Sequence, residues 1–370
     1  MHLSLEASSL TIHWNENDSG VLPYLWLRDT DPSGFHPQTG ERTFDLTQVP
    51  LDLKAQSAEI EGDTLLVSWP DKPEPSRFEL SWIRQHAPGK RRADPAQVTP
   101  TLWRGDITLN DVARFSAESL LESDSALLEW LVATKKYGLS IVDNLADSTE
   151  AGMAIARRIA RLRATNFGTT FEVVSKADPN NLAYTAEALP LHIDLTNQEL
   201  PPGYQFLHCL ANGATGGGSL FCDGFAVAND MRRDFPDLAK LLENTAIPFR
   251  FFDGDTDIRS RKPVFASDLS GDINEISFNA HIADIIDLEP EVLTQFYAAY
   301  QRFMLTTRSP EYCVSYRLDA GEMAVFDNRR VLHGREAFQP TSGKRHLHGC
   351  YVDRADLDSR VRVLSEKLAD

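Results

Sequence analysis

Short apolar segments separated by turn residues dominate the second half of this chain. From Tyr204 to Val352 we identify about eight such segments with strand-like patterning, broken by glycine-rich turns. Helical patterns occur in a few separate segments before, within and after this region. Many short strands with segregated helices indicate a double-sheet jelly roll. We therefore predict a mainly β fold with flanking helices.

Four segments have apolar residues at helical spacing. Gly138 ends the first of them, and the run 139–142 behind it predicts the first strand of the jelly-roll domain. The last segment could pack against its own domain or across a dimer. The predicted helices are 125–136, a segment capped by Asp147 and Glu150, 289–306 with Val292, Phe296, Tyr300 and Met304 inward, and 357–368 with Val361 and Leu364 inward.

His192 and Asp194 are two residues apart, so on an extended segment their side chains leave from the same face. A single metal ion could occupy the point where they converge. Two imidazoles and one carboxylate on one face of an octahedron form the facial triad of non-haem Fe(II) oxygenases. His333, in a turn-like context after a hydrophobic run, is the best candidate for the third ligand. The alternative for His192 and Asp194 is a surface loop with a capping carboxylate.

Arg345 lies twelve positions after His333, on another strand-like segment. An oxygenase with a dicarboxylate co-substrate needs a fixed cation for the distal carboxylate. A guanidinium fork suits that task better than an ammonium, because it donates two parallel hydrogen bonds. Arg345 is therefore a candidate co-substrate ligand.

The first ninety or so residues predict a separate, small β-rich module. We expect an N-terminal domain over 1–95, a linker rich in proline, glycine and charge over 96–118, and the jelly-roll domain over 119–370. The strand-like runs of the N-terminal module are 8–14, 24–27, 64–69 and 77–82.

The net charge of −17 argues against nucleic acid or an anionic membrane as a partner, since both would be repelled. No apolar run approaches the length of a membrane span, and the N-terminus lacks a signal-peptide pattern, so we expect a cytoplasmic protein. The four cysteines match no zinc motif and are expected to be buried, reduced thiols: Cys209, Cys222, Cys313 and Cys350.

At this point the sequence resembles a known family, the 2-oxoglutarate-dependent oxygenases of the taurine dioxygenase type. Within that family it is similar to the γ-butyrobetaine hydroxylase and trimethyllysine hydroxylase branch. The resemblance covers about 120 to 355 well and the first hundred residues more loosely. The motifs that carry it are Asn180-Asn-Leu-Ala-Tyr184, His192-x-Asp194, Leu207-His-Cys, Ala214-Thr-Gly-Gly217, Asp223-Gly-Phe225, Asp327-Asn-Arg-Arg-Val-Leu-His333-Gly-Arg335 and Arg345-His-Leu-x-Gly-x-Tyr351.

The resemblance implies a double-stranded β-helix, which is this jelly roll, and the use of Fe(II), 2-oxoglutarate and O2. It implies that His192, Asp194 and His333 hold the iron. The far carboxylate of 2-oxoglutarate would bind Arg345, with Leu207 and Thr215 lining the pocket. The family tends to dimerise, which makes a homodimer the expectation.

The family also implies a small-molecule quaternary ammonium substrate held by aromatic faces, because such a cation donates no hydrogen bond. Four aromatic residues align with the family's cage: Phe167, Phe171, Tyr184 and Tyr351. Both phenylalanines stand where the family has Tyr and Trp, which weakens the expected cation binding. Asn181 corresponds to an amide that holds the substrate's acidic group, and Asn279 lies in the region of a second one.

The acidic group itself is left open by these residues. A carboxylate would make the substrate γ-butyrobetaine, and a phosphonate would make it 2-(trimethylamino)ethylphosphonate. Trimethyllysine is the third candidate, although no carboxylate can be assigned to its α-amino group. A pseudoenzyme that only binds metal is the non-enzyme alternative. An iron-dependent halogenase is disfavoured, because those enzymes replace the metal carboxylate that Asp194 supplies here.

The N-terminal domain of γ-butyrobetaine hydroxylases carries a structural zinc held by three cysteines and one histidine. No cysteine precedes Cys209 in this chain, so a thiolate zinc site cannot be built there. We expect no structural zinc.

Overall fold

The computed structural model describes residues 1–89, 92–107, 112–174 and 185–369. The chain divides into two compact units, Met1–Asp94 and Pro95–Asp370. Among the described residues, no helix combines the length and the apolar composition needed to cross a bilayer.

The first unit contains two three-stranded antiparallel sheets, in the orders β1-β2-β3 and β4-β5-β6. Their apolar faces enclose a core that includes Leu10, Leu65 and Trp69. Single turns of 3₁₀ helix occur at Pro32–Gly34 and Leu46–Gln48. The elements are β1 His2–Leu5, β2 Ser9–Asn15, β3 Asp18–Pro23, α1 Tyr24–Asp29, β4 Ser57–Glu61, β5 Thr64–Ser68, β6 Ser76–Glu79 and α2 Leu80–His86.

Two of the strands predicted here are wrong. The run 24–27 forms helix α1, whose buried residues Tyr24, Leu27 and Arg28 have helical spacing. The run 77–82 is divided between β6 and α2, with the boundary after Glu79. A run of four to six residues is compatible with both strand and helix periodicity, so packing in the folded protein determined which of the two formed.

Asp31 is a buried carboxylate in this unit. Its side chain accepts hydrogen bonds from Lys72 Nζ at 2.7 Å, from the Ser33 N–H at 3.0 Å and from the Ser76 hydroxyl. Burial alone would raise the pKa of Asp31, but the hydrogen bonds from Lys72, Ser76 and Ser33 outweigh it and lower the pKa. The ionised carboxylate therefore stabilises this unit above the ordinary Asp pKa, and that contribution disappears as pH falls through the lowered value.

Asp31→Asn is expected to lower the free energy of unfolding at pH 7 by about 2 kcal/mol, because charged hydrogen bonds become neutral ones. The difference from wild type should shrink below about pH 4, where the advantage of the ionised carboxylate is lost. Urea unfolding at several pH values measures it. The exposed Asp52→Asn serves as the matched control and should change little. A difference undiminished at pH 3 would contradict this account.

The second unit carries the long strand region. Its elements are β7 Ala113–Ser116, α3 Ala117–Glu122, α4 Asp124–Tyr137, β8 Leu139–Asp143, α5 Thr149–Ile159, β9 Thr170–Val173, β10 Leu189–His192, β11 Tyr204–Asn212, β12 Thr215–Gly216, β13 Ser219–Asp223, α6 Gly224–Asp234, α7 Pro236–Asn244, β14 Ile247–Asp253, β15 Thr256–Lys262, β16 Phe265–Ser267, β17 Ile273–Ile276, α8 Pro290–Arg308, β18 Cys313–Tyr316, β19 Met323–Asp327, β20 Val331–Arg335, β21 Phe338–Gln339, β22 Arg345–Val352 and α9 Arg354–Lys367.

Two of its sheets form the predicted jelly roll. The larger has the strand order β7-β8-β19-β11-β22-β9, and the smaller has β10-β20-β13-β18. Side chains from both sheets share one apolar cluster, in which Phe221 of the smaller sheet packs with Phe326 and Leu347 of the larger. Helices α4, α5 and α9 bury the other face of the larger sheet through residues such as Trp130 and Leu357. The predicted fold class is confirmed.

Several local predictions can be compared with these elements. Gly138, at φ 73°, ends α4 as predicted. The cap of α5 is Ser148, whose hydroxyl accepts from the Glu150 N–H, so the assignment to Asp147 was wrong. Strand β7 precedes the strand predicted to be first and pairs with it in parallel. Val292 is 39% exposed instead of inward.

The C-terminal helix and the cysteines follow the sequence analysis. Helix α9 buries Val361 and Leu364 in the core of its own unit. All four cysteines are free, and Cys313 alone among them is half-buried instead of buried.

Candidate functional site

A cavity of about 390 Å³ lies inside the second unit. Strands of both jelly-roll sheets, the β14–β15 hairpin and the segment after β17 contribute to its wall. The described lining residues are Phe167, Phe171, Val173, Leu189, His192, Asp194, Leu195, Asn197, Gln205, Leu207, Ser219, Arg250, Phe251, Phe252, Asn279, His281, Ile282, His333, Gly334, Arg335, Arg345, Leu347 and Tyr351.

Strand pairing brings the first two candidate metal ligands together. His192 of β10 lies directly opposite His333 of β20 in the antiparallel register. Their ring centroids are 4.3 Å apart. Asp194 follows β10, and its Oδ1 is 3.1 Å from His192 Nε2 and 3.7 Å from His333 Nε2. One ligand atom from each of the three residues lies within 4.8 Å of the others.

The backbone of Asp194 is held by a buried amide. Its N–H donates to Asn328 Oδ1 at 2.9 Å, and its carbonyl accepts from Asn328 Nδ2 at 3.1 Å. The next residue, Leu195, has φ 57°, in the left-handed region that non-glycine residues rarely adopt. This turn and the Asn328 contacts fix the direction of the Asp194 side chain, and the Tyr351 hydroxyl donates to its Oδ2 at 2.8 Å.

The protonation states suit a cation. Burial would raise the pKa of Asp194, but the nearby His333 and His192 and the hydrogen bond from Tyr351 lower it overall. Burial and repulsion from His192 lower the pKa of His333 to about 3, so this imidazole is neutral at ordinary pH. An ionised carboxylate and a neutral imidazole are the forms in which these side chains coordinate metal.

The donor set fits a divalent transition metal. His192 Nδ1 lies 2.8 Å from the Pro190 carbonyl oxygen, which is the usual way that a protein orients a histidine ligand and leaves Nε2 to coordinate. Two imidazoles and one carboxylate that converge from one side leave the positions facing the cavity for other ligands, as in non-haem iron sites. The three residues could therefore hold Fe(II).

Arg345 is a buried guanidinium on the cavity wall. Its Nε donates to the Gly217 carbonyl at 3.2 Å. Within the described ranges no carboxylate forms an ion pair with it. Burial, followed by repulsion from Arg335, lowers its pKa to about 10, so it stays charged at neutral pH. A buried cation without an acidic partner is costly unless a ligand supplies the anion.

Aromatic rings form two pairs on the same wall. Phe171 and Tyr351 are stacked with ring centroids 5.0 Å apart, and Phe167 meets Phe251 edge to face at 5.1 Å. Their faces offer an apolar surface with negative ring potential, which suits a cation that cannot donate hydrogen bonds.

Of the other predicted site residues that the structure describes, some line the cavity and one does not. Leu207 is buried on the cavity wall, whereas Thr215 is exposed and outside it, because β12 pairs with β21. Asn279 lines the cavity, but its amide donates to the Ile193 carbonyl and accepts from the His281 N–H. Asn181 and Tyr184 lie outside the described residues.

Much of the cavity wall was not predicted from the sequence, and three of the residues concerned are Arg250, Phe251 and His281. Arg250 and Phe251 come from the β14–β15 hairpin, and His281 follows β17. The His281 ring lies 4.9 Å from that of His192. No motif marks any of them, and only the three-dimensional fold brings residues so distant in sequence to the metal ligands.

Comparison with known proteins agrees with this geometry. Residues 97–351 match the model of the taurine catabolism dioxygenase TauD, TfdA family. The chain is 40% identical to γ-butyrobetaine dioxygenase of Pseudomonas sp. (strain AK-1), over 97% of this chain and 94% of that one. It is 30% identical to mitochondrial trimethyllysine dioxygenase of Gallus gallus, over 92% and 82%. The crystal structure of a putative α-ketoglutarate-dependent taurine dioxygenase from Burkholderia xenovorans superposes with a TM-score of 0.51 at 17% identity, over 69% of this chain and 92% of that one.

The family match defines the chain as a 2-oxoglutarate-dependent dioxygenase, and the family's enzymes use Fe(II), 2-oxoglutarate and O2. The chain belongs to the taurine catabolism dioxygenase TauD, TfdA family.

Proposed function

We propose that this enzyme hydroxylates a small trimethylammonium substrate with an acidic group, and that the substrate is γ-butyrobetaine. The observation that carries the proposal is 40% identity, across nearly the whole of both chains, to a γ-butyrobetaine dioxygenase. The paired aromatic rings of the cavity supply the matching chemistry.

His192, Asp194 and His333 would hold the iron. Bound Fe(II) supplies the activation of O2 and the oxidative decarboxylation of 2-oxoglutarate to succinate that hydroxylation requires. Arg345 binds the distal carboxylate of 2-oxoglutarate, with Leu207 beside it. Tyr351 donates to Asp194 and so keeps the carboxylate in its ionised form.

The aromatic pairs position the substrate. Phe167, Phe171 and Tyr351 contact the methylated ammonium and exclude water from it. A desolvated cation gains about 0.5–2 kcal/mol from each such face. Fixing this end holds one methylene of the chain beside the metal, which is the orientation that hydroxylation at a single carbon requires. Tyr184 is the fourth proposed ring of the cage, and Asn181 is the proposed amide contact to the acidic group of the substrate.

Three further properties belong to the proposal. The absence of cysteines before Cys209 supports an N-terminal unit without a zinc site. A homodimer and a cytoplasmic location complete the proposal.

Because the N-terminal unit is proposed to lack a zinc site, iron but not zinc should remain after dialysis of the protein loaded with Fe(II). Elemental analysis measures both metals.

Substrate profiling tests the proposal. Succinate release coupled to a hydroxylated product should have the highest kcat/KM with γ-butyrobetaine, above 2-(trimethylamino)ethylphosphonate and trimethyllysine. γ-Aminobutyrate keeps the acid and the chain length but lacks the methyl groups, so its kcat/KM should be lower by about tenfold or more. If none of the trimethylammonium compounds stimulates succinate release, the proposal is wrong.

A further inference from the structure

The cavity wall has an unbalanced charge. Three arginines are among the described residues that line it, Arg250, Arg335 and Arg345, against one acidic residue, Asp194. This positive surface lies inside a chain whose net charge is −17, so it is a local feature. Positive charge in a cavity selects anionic ligands.

The three arginines belong to two separate parts of the wall. Arg335 ends β20 of the smaller sheet and Arg345 begins β22 of the larger sheet, and repulsion from Arg335 contributes to the lowered pKa of Arg345. Arg250 stands on β14, which forms a two-stranded sheet with β15 and is bridged at Phe249 to Ala283. The backbone N–H of Arg250 donates to the carbonyl of Ile282, the residue after His281, at 2.8 Å. If Arg345 takes the co-substrate carboxylate, Arg250 remains for a second anion.

Arg250 is held in place by its own hairpin. Its Nε and Nη2 donate to the two carboxylate oxygens of Asp257 at 2.8 and 3.1 Å. Arg259 also donates to that carboxylate through Nε at 2.9 Å and Nη2 at 2.5 Å. Two guanidinium groups thus share one carboxylate, so the cluster of Arg250, Arg259 and Asp257 keeps a net positive charge. Arg250 Nη1 has no hydrogen-bond partner in the described part of the chain.

Two other polar residues on the wall already donate hydrogen bonds to the backbone. The Asn279 amide serves the backbone of Ile193 and His281. Arg335 Nη2 donates to the carbonyls of Thr185 and Glu187 at 2.8 and 2.7 Å. Arg250 therefore offers a charged donor that is oriented yet not saturated.

We propose that Arg250, oriented by Asp257, binds the acidic group of the substrate and selects substrates that carry one. The inference rests on the proposed function and extends it, because it assigns the anionic end of the substrate to the β14–β15 hairpin. The carboxylate would accept a charge-assisted hydrogen bond from Nη1, and the guanidinium would oppose its charge.

The test compares γ-butyrobetaine with its carboxamide, which keeps the length and the trimethylammonium group and removes the negative charge. The quantity measured is the ratio of the two kcat/KM values, from succinate release. Arg250→Gln should lower this ratio by about 10- to 100-fold, mainly by raising KM for γ-butyrobetaine. Arg250→Lys keeps the positive charge but cannot donate two parallel hydrogen bonds. Its ratio of kcat/KM values should therefore lie between those of the wild type and Arg250→Gln.

Arg259→Gln is the matched control, because it removes the same charge from the same carboxylate but does not line the cavity. Its ratio should change by less than about threefold. Melting temperatures of both variants exclude a folding defect as the cause. An unchanged ratio in Arg250→Gln, or an equal fall in Arg259→Gln, would overturn the inference while leaving the proposed function intact. A wild-type enzyme that turns over neither compound would instead contradict the proposed function.

Discussion

His192→Ala is expected to abolish substrate-dependent succinate formation and to weaken Fe(II) binding. The Nε2 of His192 faces the Asp194 carboxylate at 3.1 Å, and His192 pairs with His333 across the strands. Losing groups that only support a metal ligand typically costs 10- to 100-fold, so loss of a ligand should cost more than about 100-fold. Anaerobic Fe(II) titration and succinate assays measure the two effects.

Two further variants serve as comparisons for His192→Ala. Tyr351→Phe removes only the hydroxyl that donates to Asp194, so a loss of about tenfold is expected, which is the cost of an outer partner. His346→Ala removes a histidine of β22 that does not line the cavity, and it should retain activity. If His192→Ala forms succinate at the wild-type rate with unchanged Fe(II) affinity, the metal assignment fails.

Arg345→Gln is expected to raise KM for 2-oxoglutarate with a smaller effect on the substrate KM. The buried guanidinium has no carboxylate partner among the described residues, so a bound carboxylate would form a desolvated ion pair with it. Losing such a pair costs about 2–4 kcal/mol, or a rise in KM of roughly 30- to 1,000-fold. Steady-state kinetics at varied 2-oxoglutarate measures this.

Arg345→Lys is the conservative comparison. It keeps the positive charge but cannot donate two parallel hydrogen bonds, so its KM for 2-oxoglutarate should lie between those of the wild type and the Gln variant. A result in which Arg345→Gln raises KM only for the substrate would exchange the assignments of Arg345 and Arg250.

Part of the convergence of His192, Asp194 and His333 was predictable, because two-residue spacing puts the first two on one side of an extended segment. The pairing of β10 with β20, which brings His333 opposite His192, is seen only in the structure. The jelly roll was predictable for a similar reason, since alternation and glycine turns recur through 204–352.

Other features depend on contacts that no local pattern encodes. Six residues of α1 satisfy strand and helix periodicity alike, and burial of Tyr24 and Leu27 decided for the helix. Both Asp147 and Ser148 can cap a helix, and the backbone geometry selected Ser148. Thr215 adjoins the turn at Gly217 that contacts Arg345, yet its own strand carries it to the surface.

The cavity is built from two kinds of framework. The proposed iron and 2-oxoglutarate ligands stand on or next to paired strands of the roll, whereas Arg250 and Phe251 project from a two-stranded hairpin with its own turn at 254–255. The strands β10, β20 and β22 pair with other strands of the roll and not with β14 or β15. New substrate preferences could therefore evolve, or be engineered, through this hairpin without rebuilding the oxygen chemistry.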